Sequence, residues 1–133
     1  MLPARHPRLW LSIGWAMVLA AFIVCLVPGH DLPSTGMSDK SEHFLCYAIL
    51  MLWFAGLYPR SRYLVIAGLL LVMGVVIEFA QSAMQLGRSG DVLDVVANSI
   101  GVAIGLALAF AGLGNWMRWI DGWLNRHAAV ADQ

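Results

Sequence analysis

The chain has 133 residues, of which 60% are hydrophobic and 12% charged, against about 25% charged in an ordinary soluble domain. Eight Lys and Arg balance eight Asp and Glu, so no excess positive charge directs the chain to nucleic acid. At a mean hydropathy of +0.74, too few polar residues remain to coat a soluble fold, and the composition is that of a membrane protein. A spanning helix takes about 20 residues. Four such helices and their loops use the whole length, which predicts one integral membrane domain over residues 1–133.

The first apolar run covers about 9–27 and follows Arg5 and Arg8. It is longer than the roughly 7–15-residue core of a cleaved signal peptide, and it lacks small residues at a cut site. Bulky Val24 ahead of Cys25 also argues against a lipoprotein, so a retained helix is expected. Pro28, Gly29, Pro33 and Gly36 punctuate a loop that reaches Ser41. A second helix is expected over about 42–58, ending at the basic connection Pro59-Arg60-Ser61-Arg62. The third run, about 63–84, carries Glu78 and Gln81 near its end, and a polar turn follows from Gln85 to Asp91. The fourth, about 92–113, carries Asp94 and Asn98 near its start.

In the last segment, about 115–126, Trp116, Trp119, Ile120, Trp123 and Leu124 recur at helical spacing opposite Arg118, Asp121, Asn125 and Arg126. That pattern predicts a short amphipathic helix lying in the headgroup layer. Cys25 and Cys46 both lie in apolar runs and read as small buried hydrophobes rather than a disulfide. The expected fold is therefore all-α: a four-transmembrane-helix bundle with a short C-terminal interfacial helix.

If the helices alternate, Arg5, Arg8, Arg60, Arg62, Arg118 and Arg126 fall on one side, and Lys40 and Arg88 on the other. The positive-inside rule then places both termini and the second connection in the cytoplasm. The acids segregate the other way: Asp31, Asp39, Glu42, Glu78, Asp91 and Asp94 face outward, Asp121 and Asp132 inward. Acids weigh little in orientation, so their clustering points to function at the outer face.

A charge in the middle of a spanning helix costs at least about 2.5–3.5 kcal/mol. Three helix ends nevertheless bring polar groups to similar depth. Asp39 and His43 are i and i+4, as are Asp94 and Asn98; Glu78, Gln81 and Gln85 are i, i+3 and i+7. Asp91 reads as the cap of the fourth helix. Simpler roles exist for each residue: His43 bonded to Asp39, Glu78 anchored by Arg88 or Lys40, and Asn98 as glue between helices. The Ala97, Gly101 and Gly105 stripe reads as a close-packing face. As functional candidates, His43, Glu78 and Asp94 suit acid–base chemistry, and Lys40, Arg88, Gln81, Asn98 and Asp39 suit substrate binding.

Carboxylate and amide oxygens here suit a hard cation, and no H-E-x-x-H or paired-His spacing marks zinc. Lys40 and Arg88 instead suit an anionic ligand such as a phosphate or carboxylate headgroup, with backbone N–H groups of Gly87-Arg88-Ser89-Gly90 adding to it. Spacing does not decide between these, so no residue is assigned to a metal and no cofactor is assigned. The inner halves of the last three spans are almost wholly apolar, which argues against a monomeric pore.

Taken in order, Asp39-Lys40-x-x-His43-Phe44-x-x-Tyr47, Glu78-x-x-Gln81 and Gly87-Arg88-Ser89-x-Asp91-x-x-Asp94-x-x-x-Asn98-x-x-Gly101-x-x-x-Gly105 resemble the VanZ-like family. The family often carries an aromatic residue and a proline shortly before the Arg, where this chain reads Ala83-Met84-Gln85-Leu86. The resemblance implies a small multi-pass protein of the bacterial plasma membrane, and a link to low-level teicoplanin resistance. It brings no established reaction. Two functions follow as expectations. One is an outward-facing site that binds or modifies an anionic lipid headgroup or a lipid-linked cell-envelope intermediate. The other is a non-catalytic lipid or solute carrier, or an accessory subunit, in which the polar residues form a structural network.

Overall fold

Local chemistry sets where each helix begins and ends. In the computed structural model, which describes residues 2, 6–27, 36–84 and 91–131, proline occupies the start of α1 (Pro7–Leu26), where its missing N–H costs nothing. Helix α2 (Asp39–Leu57) begins three residues before the expected start, because Ser38 caps it: the Ser38 side chain accepts from the Ser41 N–H at 3.2 Å. Asp39 and Glu42 in the first turn add carboxylates where the helix dipole favours them. A short 3₁₀ turn, Arg60–Arg62, leads into α3 (Tyr63–Met84). Helix α4 (Val92–Phe110) stops short of the expected 113, since Gly112 turns the chain at φ +124°. A second 3₁₀ turn, Leu113–Asn115, then starts α5 (Trp116–Ala131). The Pro28–Thr35 part of the first loop and the 85–90 turn lie outside the described residues.

Nearly all of the described residues are helical, and none of them lies in a strand. Three helical stretches are long and apolar enough to cross a membrane: Pro7–Leu26, Arg60–Met84 and Val92–Phe110. Helix α2 is not among them, because Asp39, Lys40, Glu42 and His43 occupy its first turns. The outer surface is apolar to a degree that water does not tolerate over a large patch. Trp15, Leu19, Leu64, Leu69, Phe79 and Val92 are each more than 60% exposed. These helices make the chain a membrane protein.

Helix α2 is the hub, touching α1, α3, α4 and α5, and its most extensive partner is α4. The small-residue stripe explains that contact. A Cβ placed on Gly101 would collide with the Phe44 carbonyl oxygen, and one on Gly105 would come within 2.8 Å of the Ala48 carbonyl oxygen. The two backbones touch because nothing stands between them. Tyr47, Leu50, Met51 and Ala55 of α2 fill the core around this seam.

Helices α1 to α4 alternate in direction, as contacts at the two ends of the bundle show. At one end the termini of α1 and α3 meet through Gln81 and Cys25, and the starts of α2 and α4 meet through His43 and Asn98. At the other, Trp10, Trp53 and Trp116 form an aromatic cluster with centroids 4.8–6.0 Å apart. The Arg60 guanidinium donates to the Phe110 carbonyl at that end, satisfying a terminal acceptor of α4.

The start of α5 departs from the expected surface helix. Met117 is 1% exposed, and Trp116 covers Gly56 while its indole N–H donates to the Leu52 carbonyl at 3.0 Å. Trp119 and Trp123 are exposed. The three tryptophans therefore do not act as one face: Trp116 belongs to the bundle, and only the later two point away. Cys25 is buried and Cys46 half-buried, and the two form no disulfide with each other.

The seam makes opposite predictions for two glycines. A Cβ on Gly68 would meet nothing within 4 Å, so Gly68→Ala should hold or raise the thermal midpoint, by about 0.5–1 kcal/mol of helix propensity. Gly101→Ala should lower it, since overpacking at a tight contact costs about 1–3 kcal/mol. Melting both variants in detergent checks this; equal midpoints would mean that α2 and α4 do not touch at Gly101.

Candidate functional site

The end of the bundle that gathers Cys25, Asp39, Gln81 and Asp94 carries the polar residues singled out by spacing. Four of them are buried: His43 (4% exposed), Gln81 (5%), Asp94 (5%) and Asn98 (2%). Buried polar groups demand partners, and three of these have them across helix boundaries. His43 Nδ1 and Asn98 Oδ1 are 3.1 Å apart, joining α2 to α4. Gln81 Nε2 donates to the Cys25 carbonyl at 2.7 Å, joining α3 to α1. Lys40 Nζ donates to Asp91 Oδ2 at 2.9 Å and lies 3.6 Å from Asp94 Oδ1.

Asp91 also caps α4, its Oδ1 accepting from the Leu93 N–H at 2.9 Å. The expected cap is therefore in place. Asp94 stays one turn deeper, with its Oδ1 accepting no hydrogen bond from the described residues. His43 Nε2 stands 4.0 Å from Asp39 Oδ2, longer than a hydrogen bond, so the His43 partner is Asn98 rather than Asp39. One ligand atom each from Asp39, His43 and Asp94 lies within 4.8 Å of the others, a grouping able to hold a cation.

Glu78 approaches this group from α3. Asp94, His43 and Asp91 all act on its carboxylate electrostatically, and the Asp91 backbone N–H approaches it. Its Oε1 is buried with no hydrogen-bond partner among the described residues. Glu78 also lines a cavity of about 260 Å³ with Val75, Phe79, Ser82, Val92 and Val95, on the α3–α4 side. Lys40 pairs with Asp91 and Asp94. Arg88, expected to pair with Glu78 or Asp94, lies outside the described residues, as do Gln85 and the Gly87–Gly90 turn.

Two participants escaped the spacing argument. Tyr47 is wholly buried, and its hydroxyl has no hydrogen-bond partner among the described residues. A Cβ on Gly74 would lie 3.3 Å from that hydroxyl and 3.1 Å from Asn98 Nδ2, so Gly74 makes room for both. Tyr47 is four residues after His43, on the same helix face, which was the available signal. The second is the α1 wall. Met17, Ala21, Val24 and Cys25 of α1 face Asp39, Glu42, His43 and Cys46 of α2 across a cavity of about 350 Å³.

Such an arrangement can hold a proton on His43, a cation among the carboxylates, and an apolar chain beside them. The model of the VanZ/LLP1 family matches residues 11–114, and the chain belongs to that family. No curated protein and no solved structure matches it.

The Asp91–Lys40 contact sets a pH dependence at the rim. Chiefly the Lys40 hydrogen bond, then the Leu93 N–H, holds the Asp91 carboxyl below its usual range. A depressed folded value means that the contribution to stability is present above the ordinary Asp pKa of about 3.9. It is lost as pH falls through the folded value. Lys40→Met should therefore move the Asp91 titration upward, read by carboxyl ¹³C NMR in micelles. An unmoved titration would place Lys40 elsewhere.

Proposed function

We propose that this protein is a four-span membrane protein whose outward-facing site binds, and positions for proton transfer, the headgroup of an anionic lipid or lipid-linked cell-envelope intermediate. The observation that carries the reading is a juxtaposition. The largely apolar α1–α2 cavity, about 350 Å³, runs up to Asp39, Glu42 and His43. An apolar slot that ends at charged and titratable groups has the shape of an amphiphile. In this reading α2 is the fourth span, its polar start stabilised by Asn98 and Lys40 contacts with α4, because charged groups within membranes face the bundle interior. The positive-inside rule places the site on the outer side of a bacterial plasma membrane, with both termini cytoplasmic.

The roles divide by partner. Lys40, 46% exposed at the rim, contacts the anionic group, together with Arg88 from the adjoining turn. His43 and Asp94 handle the proton, with Glu78 behind them. Asp39 borders both the cavity and the cluster. Gln81 and Asn98 spend their amides on other helices. They therefore position the site rather than bind substrate, which is the part of the structural-network reading that a specific observation favours.

Two experiments test this. Native mass spectrometry from nanodiscs should show phosphatidylglycerol retained over phosphatidylcholine, and Lys40→Ala should cut that retention about tenfold, equivalent to about 1.4 kcal/mol. Equal retention of both lipids would sink the headgroup reading. In cells, deletion should change the profile of lipids or cell-wall precursors, or teicoplanin susceptibility, and Asp94→Ala should fail to restore it. For topology, a cysteine at Ser38 in a chain lacking Cys25 and Cys46 should react with an impermeant thiol reagent in intact cells. One at Ser61 should react only after lysis, and the reverse pattern would invert the site.

A further inference from the structure

The hydrogen bond between His43 and Asn98 fixes more than a ring orientation. Asn98 Oδ1 is an acceptor only, so the ring proton sits on His43 Nδ1 at 3.1 Å from it. The other ring nitrogen, Nε2, then presents a lone pair toward Asp39 Oδ2, 4.0 Å away. A carboxylate oxygen is also an acceptor. Two acceptors face each other across a gap too wide for a hydrogen bond.

Asp94 completes the picture from the neighbouring helix. Its side chain is 7% exposed, and its Oδ1 accepts no hydrogen bond from the described residues although the Lys40 ammonium stands 3.6 Å away. One donor atom from each of the three residues falls within 4.8 Å of the others. Ligand bonds of about 2.0–2.2 Å in tetrahedral geometry place donor atoms about 3.3–3.6 Å apart, so side-chain rotations that draw the widest pair in by about 1 Å complete the set. The surroundings are electronegative as well. Asp39 and Asp91 both act on Asp94, opposed by His43 and Lys40, and Asp94 and Asp91 act on Glu78, opposed by His43.

The geometry points to a divalent metal site: Asp39, His43 and Asp94 bind a first-row transition-metal cation of the Zn²⁺ or Mn²⁺ class through His43 Nε2 and one carboxylate oxygen from each Asp. A mixed nitrogen and oxygen set favours these ions over Ca²⁺ or Mg²⁺, which take oxygen donors. Asn98 is the positioning residue, since a ligating histidine characteristically gives its other ring N–H to a fixed acceptor. Lys40 competes with the metal for Asp94 and keeps Asp91 as its own partner at 2.9 Å. The inference does not depend on the headgroup contact at Lys40, and either can fail alone; a metal on His43 Nε2 and Asp94 replaces the proton role given to those two residues above.

The test uses the full-length chain without a polyhistidine tag, purified in detergent, stripped with a chelator and dialysed against ZnCl₂ or MnCl₂. Bound metal is counted by mass spectrometry. One metal per chain is expected. His43→Ala and Asp94→Asn should each weaken binding at least about tenfold, and Asn98→Ala by about 10–100-fold. Asn98→Asp, which keeps the acceptor, should restore binding. Lys40→Met alters a half-exposed side chain, and so reports even if the buried variants do not fold. It should tighten binding, because it removes the competing cation. A wild-type chain that binds no metal overturns the proposal. So does binding unchanged in folded His43→Ala or Asp94→Asn chains, or Lys40→Met binding that is unchanged or weaker.

Discussion

The contact on which the other features depend is the meeting of two backbones. Gly101 lies against the Phe44 carbonyl and Gly105 against the Ala48 carbonyl, so α2 and α4 are in register without side chains between them. That register fixes depth. With Phe44 level with Gly101, the preceding turn of α2 carries His43 to Asn98 and Lys40 to Asp94. A shift of one residue along either helix is about 1.5 Å, enough to stretch the 3.1 Å His43–Asn98 contact beyond hydrogen-bond range. Van der Waals contact of two α4 glycines with the α2 backbone thus sets the geometry of the titratable groups.

The two ends of the bundle are built from different materials. At the end holding the cluster, helices are joined by polar contacts, His43 to Asn98 and Gln81 to the Cys25 carbonyl in the interior and Lys40 to Asp91 at the exposed rim. The opposite end is joined by rings, with Trp10 packed edge-on to Trp116 and Trp53 tilted against both. Two of the three indole N–H groups there find carbonyls, Trp53 donating to Trp10 and Trp116 to Leu52, while that of Trp10 has no hydrogen-bond partner among the described residues. An aromatic end tolerates small shifts in packing. A polar end does not, because a buried group without its partner costs about 1–3 kcal/mol.

Much of this was legible in the chain itself. Hydropathy located α1, α3 and α4, and the i, i+4 spacings put Asp39 with His43 and Asp94 with Asn98. The small-residue stripe identified the face of α4 that meets α2. What periodicity does not carry is which neighbour a polar side chain chooses. Asp39 is the nearest sequence partner for His43, yet the hydrogen bond goes to Asn98, 55 residues away. Nor does spacing mark Gly74, whose absent side chain leaves room for Tyr47 and Asn98. The tryptophans of α5 share a spacing but not a fate: Trp116 sits one turn after Gly112, close enough to be drawn over Gly56.

The composition of α2 bears on how such a bundle is made. Leaving the translocon for lipid rewards a segment for its own hydropathy, and α2, with Asp39, Lys40, Glu42 and His43 in its opening turns, scores worst of the long helices in that trial. What compensates its polar start lies in α4, synthesised after α3. With α2 as a span, its final insertion is tied to a segment the ribosome has yet to deliver. The order of assembly then differs from the order of synthesis: α3 and α4 settle by hydropathy, and α2 is secured between them last.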